Sequence, residues 1–313
     1  MGAQAKPSRR HHHVWQHYLK PWSTGGAIWC RQDGERVFTA GTRVVAVETD
    51  FYKLHDLTPA DIAFVRWLLS KSHSLAQRNN DHLLAKLLRP FELARKAERD
   101  GNPVMRTVWM ALADQFAADA LEFQHAQVEA LAIPLLESAQ KGDLSFYEDE
   151  RAIGFLYFLA TQHLRTKGVK ERSIERCKAD GSADLTRVWN ILIPMFATTL
   201  GSSLYLARRD CPLTLIHNDT DVPFITGDQP TINLLASPLR ERSPEKLSLY
   251  YPIAPDLALL LPEVGESPMF PATGLSREQA TALNERLAQA SYRQVFGVSE
   301  ASLRALSPAT AVA

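Results

Sequence analysis

The spacing of apolar positions changes period twice along this chain. Near the start the period is two. Ala27-Ile28-Trp29-Cys30-Arg31 reads as a strand, Asp33-Gly34 supplies a two-residue turn, and Arg36-Val37-Phe38-Thr39 returns as the partner strand. Val44 to Val47 predicts a further short extended piece. From residue 58 the period moves to nearly four. Thr58-Pro59, with Asp61 three residues after the cap, marks a helix start, and Ile62, Val65 and Leu69 follow at helical spacing. A second helix is predicted over 75–89 with a break or kink at Pro90, and a long third helix over 104–140 with a kink at Pro134. Ser145 with Glu148 predicts a capping box for the next helix, which carries Phe155, Phe158 and Leu159; another helix is predicted over 184–208.

After residue 210 the short period returns. Residues 213–216, 222–226, 231–235, 247–251 and 257–261 read as short strands between turns. Ser276 and Gln279 cap a last helix whose Ala280, Leu283, Leu287 and Ala290 line one face, Val295 to Val298 reads as a final strand, and a loose tail follows from 301. Strands at both ends bracket a helical middle without strand-helix-strand alternation. That pattern predicts an α+β fold, with the N-terminal hairpin and the C-terminal strands in one mixed or antiparallel sheet and the helical block packed beside it. A single domain over 1–313 is expected: a His segment and hairpin (10–56), the helical block (57–210), strands and last helix (211–300) and the tail (301–313).

Composition narrows the classes of function more than it names one. Hydrophobic residues at 45% and charged ones at 22% are those of a soluble globular protein. Thirty-five basic side chains against thirty-five acidic ones argue against non-specific coating of nucleic acid and against an anionic membrane surface. Cys30, Cys177 and Cys211 are odd in number and far apart, the N-terminus is polar, and the longest apolar run, Ala152 to Ala160, is too short to span a bilayer. A cytoplasmic protein is the expectation.

Three constellations carry candidate chemistry. The first is the basic opening, in which His11, His12, His13 and His17 are interleaved with Trp15, Tyr18 and Trp22. Imidazole transfers protons and ligates metals near neutral pH. If the segment is helical, His13 and His17 stand at i, i+4, a spacing that can hold a metal. No third ligand is legible, and a core histidine bonded to backbone is the plainer reading. The second is Gln162-His163-Leu164-Arg165-Thr166-Lys167 at the end of an apolar helix. Arg165 there either forks onto a carboxylate or phosphate, or compensates the helix C-terminus. The third is Phe224-Ile225-Thr226-Gly227-Asp228-Gln229-Pro230, where Asp228 either caps its own turn or is presented to a pocket. A Gly-rich phosphate loop, a Gly-x-Ser-x-Gly elbow, a His-Glu-x-x-His pair and a Cys-x-x-Cys pair are all absent from the sequence.

Taken in this order, the motifs resemble those of a mainly bacterial family, domain of unknown function 4238. Its opening segment, His-His-aromatic-x-Pro-x-x-Tyr-Leu-x-x-Phe, corresponds to His11 through Trp22; its acidic-aromatic step to Thr49-Asp50-Phe51-Tyr52; its Gln-x-x-Arg-Thr element to Gln162 through Thr166. Its Phe-x-Thr/Ser-x-Asp-x-Pro turn corresponds to Phe224 through Pro230, and its Pro-rich strand pair to Tyr251 through Pro255, so the resemblance runs over roughly 10–298. Trp15 stands where the family has Pro and His13 where an aromatic is usual, which leaves His11 and His12 as the matching pair and weakens the i, i+4 metal reading. The resemblance implies that His11, His12, Gln162, Arg165 and Asp228 converge on one pocket, with Tyr18, Leu19 and Trp22 as the apolar anchor.

The function expected from this is a hydrolase acting on a phosphorylated or nucleic-acid substrate. His11 or His12 would serve as general acid/base, Asp228 would orient the imidazole or bind a metal, Arg165 would hold an anion, and Gln162 and Tyr18 would contact substrate. The alternative is a non-enzymatic ligand-binding or interaction module, such as a sensor or defence-system component. No metal site is assigned, and no cofactor, specific partner or oligomeric state is legible in the sequence.

Overall fold

A computed structural model describes residues 9–181, 183–237 and 244–307. The opening is a strand, β1 (Arg10–His12). A 3-10 turn at Lys20–Trp22 leads into β2 (Ser23–Thr24), β3 (Ala27–Gln32) and β4 (Arg36–Gly41), followed by β5 (Val47–Thr49). The expected hairpin is β3–β4. Asp33 and Gly34 both have positive φ, 51° and 78°, the conformation that lets a two-residue turn follow the twist of its strands.

Five helices follow by the end of the middle block and a sixth closes it: α1 (Pro59–Leu69), α2 (Ser74–Arg99), α3 (Pro103–Gln140), α4 (Arg151–Leu164), α5 (Lys167–Ala179) and α6 (Trp189–Ala207). Thr58 and Asp61 close the predicted box at the start of α1. The second helix does not stop at Pro90 but continues to Arg99, because Phe91 and Ala97 remain buried against the helical core and packing outweighs one lost backbone bond. The capping box expected from Ser145 and Glu148 does not form. Ser145–Tyr147 is a 3-10 turn, and α4 starts six residues later with Asp149 accepting the Arg151 N–H at 2.8 Å. Helix α5 was not legible as a helix: it carries few apolar residues, and only Gly168 and Ile174 are buried in it. Among the described residues α6 is the one helix long and apolar enough to cross a membrane, and ten of its residues are buried in the fold.

The last third holds β6 (Thr214–His217), β7 (Thr226–Gly227), β8 (Ile232–Asn233), β9 (Leu249–Ala254), β10 (Leu257–Leu261), α7 (Arg277–Ala290), β11 (Gln294–Gly297) and α8 (Glu300–Arg304). Ser276 and Gln279 cap α7 as predicted. The tail expected from 301 begins as the short helix α8, where Leu303 is buried; residues 308–313 lie outside the described residues. The fold is α+β, with antiparallel sheets and about half of the chain helical.

The hairpin does share an antiparallel sheet with C-terminal strands, but not with all of them: among the described residues the strands form three sheets. The hairpin shares a five-stranded sheet with β7 and β11 in the order β2-β3-β11-β7, β4 pairing with β3. Strands β6-β10-β9-β8 form a separate four-stranded sheet, and β1 pairs only with β5. Every residue of β10 is buried, so this strand is covered on both faces and forms the middle of a packed layer rather than an extension of the N-terminal sheet. The opening segment ties the two larger sheets together. The Tyr18 hydroxyl accepts from Thr226 Oγ1 and donates to the Pro252 carbonyl, both at 2.7 Å, and Trp22 Nε1 donates to the Phe224 carbonyl at 2.7 Å. Tyr18, Leu19 and Trp22 are thus the buried anchor the sequence suggested.

Candidate functional site

Because residues 10–12 form a strand, neighbouring side chains point to opposite faces. This separates the two histidines expected to act together. His11 is fully buried, its Nδ1 accepts the Tyr52 backbone N–H at 2.9 Å, and its ring stacks on Tyr52 with centroids 5.6 Å apart. It fastens β1 to the Phe51-Tyr52 step. His12 faces the other way, onto a cavity of about 420 Å³. Nor do His13 and His17 share a helix face: residues 13 and 14 form a bend and 16–19 a turn, so the i, i+4 relation of a helix is absent there. His13 is buried beside Phe51, with its pKa pushed down to about 3 by burial and then by the Arg165 and Lys167 charges, whereas His17 is half-buried against Trp15. Among the described residues, no group of three or more His, Cys, Asp and Glu side chains is arranged to hold a metal.

The cavity is built from the opening segment and from α3, closed at the back by the end of α4. His12, Trp15, Gln16, His17, Lys20 and Arg43 line one side. Glu122, His125, Ala126 and Glu129 line the other, at the three- and four-residue spacing that stacks side chains on one helix face. Arg165 completes it as the residue that ends α4.

Arg165 is the centre of this arrangement. It is 1% exposed, and its Nη1 contacts Glu129 Oε1 at 2.5 Å. Nη2 lies 3.5 Å from the His12 carbonyl, and the Tyr52 hydroxyl donates to the Arg165 carbonyl at 3.2 Å. The carboxyl partner and Glu122 raise the guanidinium pKa despite burial, so the charge stays. A helix-end arginine that only compensated its own carbonyls would sit in water; this one is paired across to α3. Burial raises the Glu129 carboxyl, with Arg165 opposing. Burial also pushes Glu122 up to about 7, again against the pull of Arg165 and with the Glu129 charge adding to the rise.

Two imidazoles share the same walls. His12 Nε2 and both nitrogens of His125 are buried with no hydrogen-bond partner, as is Arg165 Nε. Burial, followed by the Arg165 charge, holds His125 well below its ordinary pKa, and burial lowers His12 likewise. Both rings are therefore neutral near pH 7. The His125 ring meets Tyr52 edge-on with centroids 4.4 Å apart, which fixes its position.

The second and third motifs do meet, but not through Asp228. Gln229 makes the junction: its Nε2 donates to the His163 and Thr231 carbonyls at 3.0 Å, and its Oε1 accepts from the Thr166 hydroxyl. His163 Nδ1 lies 3.0 Å from the Thr231 carbonyl. Asp228, expected to partner a catalytic imidazole, is turned the other way. Oδ1 accepts the Tyr292 N–H at 2.7 Å, and Oδ2 accepts those of Arg293 and Gln294 at 2.8 and 3.0 Å. It caps the turn entering β11 rather than its own backbone. Burial raises its pKa, and the three backbone bonds pull the other way.

Of the remaining expected substrate contacts, Gln162 is buried and is not among the residues lining the cavity; its Nε2 has no hydrogen-bond partner. Tyr18 has its hydroxyl committed to Thr226 and Pro252 and lines a neighbouring cavity instead. The structure thus brings His12 and Arg165 together and leaves His11, Gln162 and Asp228 elsewhere in the fold. Sequence reading missed Glu122, His125 and Glu129. Their signal was present: His125 occupies a position in the otherwise apolar buried stripe of α3, flanked by carboxylates three residues before and four after.

No curated protein and no solved structure matches this chain. Over residues 10–301, spanning β1 to α8 and so every element of the cavity, it matches the family described as "Protein of unknown function (DUF4238)", and it belongs to that family.

Proposed function

We propose that the Arg165 cavity binds a small anionic, phosphorylated ligand and performs hydrolase-type acid–base chemistry on it. The observation that carries this reading is the convergence of two neutral imidazoles, each with an unpartnered buried nitrogen, with a carboxyl at about 7 on the walls of one cavity. Buried polar atoms ordinarily find partners, and those that do not are concentrated at sites that bind or react. The charge around the cavity favours an anion. Lys20, Arg43 and Arg165 stand against Glu129 and a Glu122 that is only partly ionised at neutral pH. Glu122 has the pKa that suits a general acid or base at pH 7, the role assigned from sequence to Asp228. His12 and His125 can each donate to a phosphoryl oxygen, or accept from a phosphate hydroxyl, through a nitrogen that no protein group uses.

The test is turnover of chromogenic phosphomonoesters and phosphodiesters by the full chain and by Glu122→Gln. Turnover that falls at least a hundredfold in the variant with retained phosphate binding supports the reading, since acid–base groups typically contribute 10²–10⁴. Phosphate binding with no turnover of either class leaves the second reading, a non-enzymatic ligand-binding module. One observation favours that alternative: Arg165 already pairs with Glu129, and among the described residues no side-chain nucleophile of the Ser or Cys type lines the cavity.

A further inference from the structure

The face of α3 that forms one wall of the Arg165 cavity continues past it. One turn beyond Glu129, about 6 Å along the helix axis, Ile133 and then Leu136, Glu137 and Gln140 line a second cavity of about 330 Å³. Its other wall is Tyr18, Pro21 and Ile253. The two cavities share His17 and Lys20, whose Nζ lies 3.1 Å from His17 Nδ1 and forms a ledge between them. Their chemistry differs. The first gathers cations and imidazoles; the second is lined mainly by apolar side chains, with Glu137 as its acid.

We propose that the two cavities are head and tail subsites of one ligand: a phosphomonoester whose anionic head sits at Arg165 and whose neutral, apolar tail crosses the His17–Lys20 ledge and lies along Ile133, Leu136 and Ile253. This rests on the anionic reading of the first cavity. Lys20 is placed to contact the head from the ledge, and Glu137 disfavours a second negative charge at the far end. The arrangement disfavours a ligand with charges at both ends, whose far charge meets Glu137, and inorganic phosphate would fill the first cavity only.

The experiment is calorimetry of the intact chain with methyl, butyl and hexyl phosphate, and with a hexyl phosphate bearing a terminal carboxylate. Affinity is expected to rise by about two- to fourfold per methylene over this range, as for partial to full burial of each group. The carboxylate-ended ester is expected to lose most of that gain. In Ile133→Asp, a half-exposed position, methyl phosphate binding is expected to persist while the gain with chain length disappears. Methyl phosphate that binds with an affinity no weaker than hexyl phosphate overturns the two-subsite inference and leaves the anion site standing. Binding of none of the esters overturns both.

Discussion

Two regions of this molecule bury polar groups, and they treat them differently. Around Asp228 the carboxylate takes three backbone N–H groups, and Gln229 donates twice and accepts from Thr166, although the Thr231 hydroxyl beside them has no partner. Around Arg165 the pairing is incomplete, with His12, His125 and Arg165 all holding nitrogens that no protein group meets. Both regions carry a family motif, and both looked like site candidates in the sequence. That difference is what supports placing the proposed ligand at Arg165 rather than at Asp228. A fully satisfied buried network rigidifies, whereas an incompletely satisfied one carries a standing cost that a bound ligand can offset.

The comparison can be broken at the Asp228 end first, where the effect is largest. Asp228→Ala leaves three part-buried backbone N–H groups without their carboxylate acceptor and is expected to cost on the order of 2–4 kcal/mol. Urea denaturation checks this. A loss under about 1 kcal/mol would mean that the turn into β11 is held by other means.

At the Arg165 end the expected effects are functional. Below about pH 7 the Glu122 carboxyl is protonated and neutral; above it the group is charged and repels an anion. Sulfate, whose charge is constant in this range, is therefore expected to bind about tenfold more weakly at pH 8.5 than at pH 5.5, the size of one unscreened charge at roughly 10 Å in a partly buried site. Glu122→Gln should flatten that profile. A wild-type profile already flat would remove Glu122 from the cavity's electrostatics.

The smallest effect is the most discriminating. His125→Leu deletes two unpartnered nitrogens and keeps an apolar body in the buried stripe, so stability at pH 7 is expected to change by no more than about 0.5 kcal/mol. Because the folded pKa of His125 is depressed, the unfolded chain takes up a proton first as pH falls below about 6.5, and the wild type loses stability there. The leucine variant should lose less between pH 7 and 5. Thermal melts across that range test the sign, and a variant more acid-sensitive than the wild type would show that His125 is stabilised by its surroundings.

What was legible in the sequence follows from the range of the forces involved. The β3–β4 hairpin, the α1 and α7 caps and the Tyr18-Leu19-Trp22 anchor rest on residues within a few positions of one another, so local pattern captures them. The sheet partition and the passage of α2 through Pro90 depend on packing between distant segments, which single-sequence periodicity does not see. The site was half legible. Arg165 and His12 were read as polar residues in odd places, and they line the cavity. Asp228 is ambiguous in the sequence because a carboxylate in a turn looks the same whether it faces a pocket or, as here, the N–H groups of a turn some sixty residues later. Glu122, His125 and Glu129 were passed over because α3 was read for its apolar stripe, and the histidine interrupting that stripe was the clue.

The central claim is that the Arg165 cavity, and not the Asp228 junction, is where an anion binds. It is tested most directly by titrating phosphate into protein labelled at its histidine imidazoles and following each ring by NMR. Saturating shifts confined to His12, His125 and the ledge residue His17, with His163 at the Gln229 junction unmoved, are the predicted result. Shifts at His163 with His12 and His125 unmoved, or no saturable shift at any ring, would contradict the account.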